Sequence, residues 1–299
     1  MSNTVQAVRF ERPGGPAVLS LREVTLGRPG PGQARIKHAA VGINFIDTQF
    51  RAGAKRTALP SGIGVEAAGI VADIGEGVTS IRPGARVTYA TGLGAYSTEN
   101  IVAADALIEL PPSIAFDAAA AMTLRGLGAG YLLRRMGSVA RGDVIAVHAA
   151  AGGLGLILVQ WAKLLGLTVI GIVSTIPKAR LVRAFGCDHA ILTDHEDVST
   201  RVREIAGSTG VRASLGMACT AGSVQHVPAS SAIRATQEEF AQFLGNRRER
   251  DALAAELFEH VTAGRIQVQI SQRYWLREAA LAHSDLESRW TTGSSIFVL

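Results

Sequence analysis

Three glycines between residues 152 and 155 follow a pattern suited to binding phosphate. The sequence Ala150-x-Gly152-Gly153-x-Gly155 is a variant of the G-x-G-x-x-G motif. Residues without side chains let the backbone amides at a helix N-terminus approach a pyrophosphate closely, and the helix dipole favours its negative charge. The motif indicates a dinucleotide site at Gly152, Gly153, Leu154 and Gly155, with a tight turn that binds nothing as the alternative.

The type of dinucleotide depends on the residues after the next predicted strand. An NAD site usually carries Asp or Glu there, which accepts from the ribose 2′-hydroxyl. Residues 171–178 read Gly-Ile-Val-Ser-Thr-Ile-Pro-Lys and contain no acid. The hydroxyl of Ser174 and the ammonium of Lys178 suit a 2′-phosphate, because a charge-assisted hydrogen bond contributes roughly 1.5–3 kcal/mol. They predict NADPH rather than NADH; the alternative is that Lys178 is a surface residue in the first turn of a helix.

The residues around the glycines must form a strand, a turn and a helix for this site to exist. Residues 144–162 carry no charge and nearly reach the length of about 20 residues that spans a bilayer. The β-prone start of this run, the glycines and the helical spacing up to Gly166 favour a strand, a turn and a helix. Two further strand patterns, at 167–173 and 189–193, flank a helical pattern at 178–186. This order predicts an α/β fold with a Rossmann-type doubly wound parallel sheet.

Composition restricts the classes of protein and partner that remain open. The 299 residues are 47% hydrophobic and 18% charged, which is typical of a globular chain long enough for two domains. The net charge of +5 is mild, and the run at 247–250 is more typical of a solvated helix face than of a nucleic-acid patch. Two cysteines cannot build a disulfide framework, and the N-terminus lacks a signal-peptide core. We expect a cytoplasmic protein with no nucleic-acid partner and no membrane insertion.

Five segments of the chain together resemble one group of enzymes. They are residues 42–48, 59–69, 92–97, 148–155 and 287–295. As an ordered set they are similar to the medium-chain dehydrogenase/reductase superfamily, in its NADPH:quinone oxidoreductase branch. The resemblance implies a β-rich GroES-like catalytic domain over residues 1–125, rejoined by residues 260–299, and a Rossmann-type NADP-binding domain over residues 126–259.

The resemblance also implies a reaction and the residues that serve it. Hydride is expected to pass from NADPH to a small electrophilic acceptor, a quinone or an activated alkene. Asn44 and Asp47 match the family's loop and are the predicted catalytic residues, although Asn and Asp also serve simply to cap loops. Arg289 matches a family position that can reach the phosphate on the adenosine, whereas an exposed arginine is otherwise usually solvated. The family commonly forms homodimers through its cofactor sheet.

Zinc-dependent alcohol dehydrogenases share this architecture, so metal ligands have to be considered. Their catalytic zinc takes cysteine and histidine ligands. Residues 44–47 contain no cysteine, and the segment Gly64-Val65-Glu66 has valine where those enzymes carry histidine. The sequence therefore predicts a zinc-independent enzyme with no metal site.

One segment departs from the family. A complete cofactor sheet has six strands in the order 3-2-1-4-5-6, but no run of four apolar residues occurs between Val211 and Ile233. We expect the cofactor domain to be truncated around residues 211–240, with an incomplete sheet whose first strand, at 144–147, becomes an edge strand. The missing strands leave an alternative function open, that of a catalytically impaired nucleotide-binding remnant.

Overall fold

The structure of the protein is a computed structural model that describes residues 3–135, 140–216, 229–233 and 237–299. The chain forms two compact units. The first unit comprises Met1–Leu124 and Ile270–Leu299, and the second unit comprises Arg125–Gln269. The first unit is therefore built from two separate stretches of sequence.

The described strands and helices are numbered along the chain. The strands are β1 (Asn3–Phe10), β2 (Ser20–Leu26), β3 (Gln33–Ile43), β4 (Ser61–Gly62), β5 (Glu66–Ile74), β6 (Arg86–Tyr89), β7 (Glu99–Ala103), β8 (Ile108–Glu109), β9 (Val144–His148), β10 (Thr168–Val173), β11 (His189–Leu192), β12 (Val211–Leu215), β13 (Ala229–Ile233), β14 (Ile270–Trp275) and β15 (Ser294–Val298). The α-helices are α1 (Phe45–Ala52), α2 (Phe116–Arg135), α3 (Gly153–Leu164), α4 (Ile176–Ala184), α5 (Val198–Ala206), α6 (Gln237–Gly245), α7 (Arg247–Thr262) and α8 (Ala279–Glu287). Short 3-10 helices cover Pro16–Val18, Ala104–Ala106, Gly207–Thr209 and Leu276–Glu278.

The first unit contains two sheets. The smaller has the strand order β2-β1-β4, and the larger has the order β14-β15-β3-β5-β6-β8, with β7 also paired to β3. Buried and less buried side chains alternate along the first half of β3, because successive side chains of a strand point to opposite faces. The core that results includes Phe10, Ile36, Tyr89, Tyr96 and Phe297.

The second unit contains a wholly parallel sheet with the order β11-β10-β9-β12-β13. The chain builds outward from β9 to β11 and then returns to the other side of β9 with β12. The strand order therefore reverses between β9 and β12, and in such sheets ligands bind at the carboxyl ends of the strands beside that reversal. The predicted Rossmann-type doubly wound sheet is confirmed.

The uncharged run from residue 144 divides between a strand and a helix, as predicted. Ile145, Ala146 and Val147 fill the centre of β9, and a turn leads from β9 into α3. α3 is the helix of 12 residues that follows the glycines. Among the helices that the structure describes, none has both the length and the apolar composition needed to cross a bilayer.

The prediction that the first strand of this sheet lies at an edge is wrong. β12 pairs with β9 in parallel, with Leu215 opposite Val147, and β13 pairs with β12. β12 contains no run of four apolar residues, because Arg212, which is exposed, and Ser214, which lies inside the sheet, interrupt its sequence Val-Arg-Ala-Ser-Leu. Ser214 is buried, and its hydroxyl lies 2.9 Å from Nε2 of His148, so the cost of burying it is offset by a hydrogen bond.

The segment expected to be truncated is described only in part. Residues 217–228 and 234–236, which fall within the predicted interval 211–240, lie outside the described residues. The described part of the sheet has five strands, one fewer than the six-stranded order. Helix α7 continues past residue 260, where the first domain was expected to resume, and the chain rejoins the first unit at Ile270.

Candidate active site and cofactor site

In the first unit, the predicted catalytic residues Asn44 and Asp47 form the beginning of α1. Asn44 is the N-cap, with an extended backbone, and Asp47 lies in the first turn. Oδ2 of Asp47 accepts a hydrogen bond of 2.8 Å from the backbone N–H of Asn44. This arrangement satisfies a free amide at the helix start and places a negative charge at the positive end of the helix dipole.

Glu66 holds the side chain of Asn44. The Asn44 amide nitrogen Nδ2 donates to Oε2 of Glu66 at 2.8 Å, and the backbone N–H of Leu124 donates to Oε1 at 2.7 Å. Glu66 is fully buried, and the hydrogen bonds that its two carboxylate oxygens accept offset the cost of burying them. A side chain at Gly42 could not fit here, because its Cβ would lie 2.4 Å from Oε2 of Glu66 and 2.3 Å from the carbonyl oxygen of Ala120.

Tyr96 and His283 continue the hydrogen bonding from Asp47. The Tyr96 hydroxyl donates to Oδ2 of Asp47 at 2.8 Å, and Nε2 of His283 lies 3.1 Å from the same hydroxyl. All three side chains are fully buried. Burial, together with the positive charge of Arg51, lowers the pKa of His283 from 6.5 to about 3, so the imidazole is neutral at neutral pH.

Helices α1 and α8 meet through charged and polar groups, of which Asp47, Arg51 and His283 are buried and Glu287 is exposed. Asp47 and Arg51 are four residues apart on α1, as are His283 and Glu287 on α8, so each pair lies on one face of its helix. Arg51 donates to both carboxylate oxygens of Glu287, at 2.5 and 3.1 Å. The bidentate pairing compensates the burial of the guanidinium.

In the second unit, the glycine turn lies between β9 and α3. Gly152 is the N-cap of α3, and its carbonyl accepts the first helical hydrogen bond from Leu156. The first turn of α3 contains no acidic residue, and its cap residue has no side chain. Its amides and dipole therefore suit an anion such as a pyrophosphate. Gly155 serves packing: a Cβ there would lie 2.6 Å from backbone atoms of Ala149 and Ala150.

Ser174 and Lys178 come together at the end of β10. Ser174 follows the last residue of the strand, and Nζ of Lys178 lies 3.3 Å from its hydroxyl. Thr175 is the N-cap of α4 and accepts from the backbone N–H of Lys178. β9 and β10 are neighbours, so this pair lies at the same edge of the sheet as the glycine turn. The donor set suits a phosphate monoester on the ribose.

Arg289 belongs to the first unit, outside both of these groups. It follows α8, its side chain is exposed, and its φ of 62° lies in the left-handed region that non-glycine residues rarely adopt. The predicted site residues thus form one group at Asn44 and Asp47, a second group in the second unit, and the separate Arg289.

Four residues that the sequence did not single out belong to these groups: Glu66, Tyr96, His148 and His283. Glu66 and Tyr96 lie within two of the segments that resemble the family, 59–69 and 92–97. Nothing in those segments predicts which residue either of them contacts. His148 ends β9 beside the strand-order reversal, so its position before the glycine turn could have identified it. His283 carries no local signal, because its partner Tyr96 is 187 residues away.

The residues that the structure describes contain no group of three or more His, Cys, Asp or Glu side chains able to hold a metal ion. Around Asn44, the carboxylate of Glu66 accepts from an amide side chain and a backbone amide.

Comparison with known proteins identifies the family to which the chain belongs. The family model of the alcohol dehydrogenase GroES-like domain matches residues 30–112, and that of the zinc-binding dehydrogenases matches residues 153–237. A quinone oxidoreductase of Pseudomonas aeruginosa is 38% identical over 97% of this chain and 98% of its own length. The chain belongs to the quinone oxidoreductase family of the medium-chain dehydrogenase/reductases.

Other similar proteins also match the chain over nearly its full length. A 2-haloacrylate reductase of a Burkholderia species is 36% identical over 98% of this chain and 99% of its own length. The crystal structure of Escherichia coli quinone oxidoreductase complexed with NADPH superposes with a TM-score of 0.91, at 36% identity, and covers 98% of this chain and all of the other. The alignment with the P. aeruginosa family member runs over 320 positions, more than the 299 residues of this chain, so part of that enzyme has no counterpart here.

Proposed function

We propose that this protein is an NADPH-dependent oxidoreductase that reduces a quinone or an activated alkene without zinc. The observation that carries the proposal is the pairing of an anion-binding helix start with Ser174 and Lys178 at one edge of the sheet. The E. coli relative was crystallised with NADPH, and other relatives are named quinone oxidoreductase and 2-haloacrylate reductase. These names support both the cofactor and the acceptor class.

Each part of the cofactor has residues proposed to hold it. The backbone amides at the start of α3, at Gly152, Gly153, Leu154 and Gly155, are proposed to bind the pyrophosphate. Ser174 and Lys178 are proposed to bind the 2′-phosphate, with Arg289 as a further contact to the adenosine phosphate on the strength of the family match. When bound, NADPH supplies a hydride at C4 of its nicotinamide.

The chain's own contribution to the reaction is positioning and polar stabilisation. Asn44 is proposed to orient the nicotinamide side, since its side chain is fixed by Glu66 and its backbone by Asp47. Asp47 is fully buried and occupied with the helix cap and Tyr96, so its proposed part is to hold this turn. A small electrophilic acceptor then needs no Lewis acid, because its own carbonyl or activated double bond accepts hydride.

The absence of zinc from the reaction is proposed from the ligand chemistry. Asn44 stands at the first ligand region, and its amide donates to Glu66 instead of leaving that carboxylate for a cation. Treating the purified protein with a strong chelator should leave turnover unchanged. Loss of activity that added zinc restores would contradict this part of the proposal.

The experiment that tests the proposal is oxidation of NADPH with a panel of acceptors: benzoquinones, naphthoquinones, 2-haloacrylates and alkenals. We expect turnover with at least one class, and a higher kcat/KM with NADPH than with NADH. The control is the same assay without acceptor, which measures slow oxidation by oxygen. No turnover with any member of the panel would overturn the proposal.

A second candidate, a nucleotide-binding remnant, is supported by the five described strands of the cofactor sheet and by the shorter chain. Calorimetric titration with NADPH and with 2′,5′-ADP separates the two candidates. Clearly tighter binding of NADPH supports the enzyme, because the nicotinamide half then contributes to binding. Equal affinities support the remnant.

We propose a cytoplasmic location, a small-molecule acceptor as the sole substrate partner, no nucleic acid, and a homodimer as in the family. Sedimentation at several protein concentrations tests the dimer, and a monomer at all of them would contradict it.

A further inference from the structure

Asp47, Tyr96 and His283 form a hydrogen-bonded chain with a fixed direction. The hydroxyl of Tyr96 has a single proton, which it donates to Oδ2 of Asp47. Its oxygen must therefore act as the acceptor for His283, whose Nε2 lies 3.1 Å away. The chain runs from the imidazole through the phenol to the carboxylate.

This direction fixes the tautomer of His283. The ring proton must be on Nε2, which leaves an unprotonated Nδ1. Nδ1 is buried and has no hydrogen-bonding partner among the residues that the structure describes. A buried nitrogen without a proton is less costly to leave unpaired than a buried N–H. The neutral state set by burial and by Arg51 is the state that this tautomer requires.

The chain ends on the atom that organises the start of α1. Oδ2 of Asp47 accepts from Tyr96 and also from the backbone N–H of Asn44. Removing the phenol hydroxyl would take away one donor to Oδ2, and with it one of the contacts that orient the carboxylate. The cap at Asn44 would loosen, although the side chain of Asn44 would keep its bond to Glu66.

We propose that Tyr96 and His283 are positioning residues that fix the Asn44 turn for hydride transfer. The inference rests on the proposed function, since it concerns the geometry of the same site. Both residues are fully buried, so we assign them no contact with substrate or cofactor. They act through Asp47.

The first unit contains a matched pair that serves as a control. Tyr89 is also fully buried in the same core and also shares its hydroxyl with a histidine, Nε2 of His38, at 2.9 Å. Its hydroxyl also accepts from Nδ2 of Asn100, at 3.4 Å. Removing the Tyr89 hydroxyl therefore perturbs a buried tyrosine–histidine pair without removing a donor from Asp47.

The test compares Tyr96→Phe with Tyr89→Phe in the full chain. Amide hydrogen exchange is followed by mass spectrometry in peptides covering residues 44–52, and kcat and KM are measured under conditions where urea unfolding shows both variants to be folded. We expect faster exchange at the start of α1 only in Tyr96→Phe. We also expect its kcat to fall roughly 10- to 100-fold, with KM for NADPH unchanged, because none of the residues proposed to bind the phosphates belongs to the Asn44 turn.

His283 is tested by two substitutions. In His283→Gln the side-chain amide can donate to Tyr96 in place of Nε2–H, whereas His283→Leu removes the donor. We expect His283→Leu to behave like Tyr96→Phe, and His283→Gln to restore part of the lost kcat. Such a rescue would not occur if the residue only filled space, because leucine fills it as well.

The outcomes separate this inference from the proposed function. Exchange at residues 44–52 that is the same in Tyr96→Phe and Tyr89→Phe overturns the positioning role, whatever the activity. Faster exchange in Tyr96→Phe with an unchanged kcat would show that the fixed Asn44 turn does not matter for the reaction, which also overturns the proposal. A wild-type protein that reduces no acceptor counts against the proposed function, while the exchange comparison still decides whether Tyr96 holds the turn.

Discussion

At the scale of single residues, the choice between the two nicotinamide cofactors rests on the end of β10. Ser174 and Lys178 are already within 3.3 Å of each other, so the ammonium is held where we propose that the 2′-phosphate binds. An ammonium that is positioned in advance loses less conformational entropy when it binds its ligand. A charge-assisted hydrogen bond of about 1.5–3 kcal/mol corresponds to a preference of roughly 10- to 100-fold.

The first prediction concerns this ammonium. In Lys178→Gln we expect KM for NADPH to rise roughly 10- to 100-fold while KM for NADH stays the same, because only the 2′-phosphate contact is lost. The measurement is steady-state kinetics with both cofactors. Arg180→Gln, an exposed position two residues further along α4 and on another face of the helix, is the control. If both substitutions raise KM for NADPH equally, the preference comes from the overall positive charge of this surface and not from Lys178 itself.

Local spacing predicted part of the site and could not have predicted the rest. The glycine turn and the Ser174–Lys178 pair lie within single segments, so their geometry follows from the strand, turn and helix that contain them. The pairing of Asn44 with Glu66 joins residues 22 apart, and that of Tyr96 with His283 joins residues 187 apart. Contacts of this kind depend on sheet register and helix packing, which a single sequence does not show.

At the scale of elements, the contact between the glycine turn and α3 leaves no room for a side chain. A Cβ at Gly155 would lie 2.6 Å from the carbonyl oxygens of Ala149 and Ala150 and from Cα of Ala150. All of these are backbone atoms, which cannot rotate away. The helix would have to shift along the strand to accommodate even one methyl group.

Gly155→Ala is therefore expected to lower the free energy of unfolding by about 1–3 kcal/mol, the usual range for overpacking. Urea unfolding followed by circular dichroism measures the change. The control is Gly245→Ala at the end of α6, where a Cβ would meet nothing within 4 Å. If Gly155→Ala is as stable as Gly245→Ala, the close approach of turn and helix is not present in solution.

The elements also show where sequence patterns succeed and fail. β9 and β10 are continuous apolar runs, so their strands and the helix between them could be predicted. β12 could not, because Arg212 and Ser214 interrupt its apolar residues, and Ser214 is accommodated by its hydrogen bond to His148 on the neighbouring strand. A polar residue inside a strand is informative only once its partner is known.

At the scale of the whole molecule, two buried histidines make stability depend on acidity. Burial lowers the pKa of His38 from 6.5 to about 4, and burial with the charge of Arg51 lowers the pKa of His283 to about 3. In the unfolded chain both histidines take up a proton near pH 6.5. Between pH 6.5 and about 4 the unfolded state therefore binds more protons than the folded state. The free energy of unfolding is at its full value above pH 6.5 and falls as the pH is lowered.

The corresponding prediction is a difference in slope. His283→Gln cannot be protonated in either state, so its Tm should fall less steeply than that of the wild type as the pH is lowered from 7.5 to 4.5. Thermal unfolding at half-unit pH steps measures the slope. His195→Gln, at an exposed position, should keep the wild-type slope. Parallel curves for His283→Gln and the wild type would contradict the low pKa of His283.

The split composition of the first unit has a consequence for how the chain is made. β3 (Gln33–Ile43) pairs with β15 (Ser294–Val298), which leaves the ribosome only after all of the second unit. The nascent second unit can complete its sheet while β3 still has an open side, because β14 reaches the larger sheet only through β15. Translation that stalls between residues 270 and 293 would therefore release a finished cofactor unit joined to a first unit with an unpaired strand edge, a species prone to aggregate.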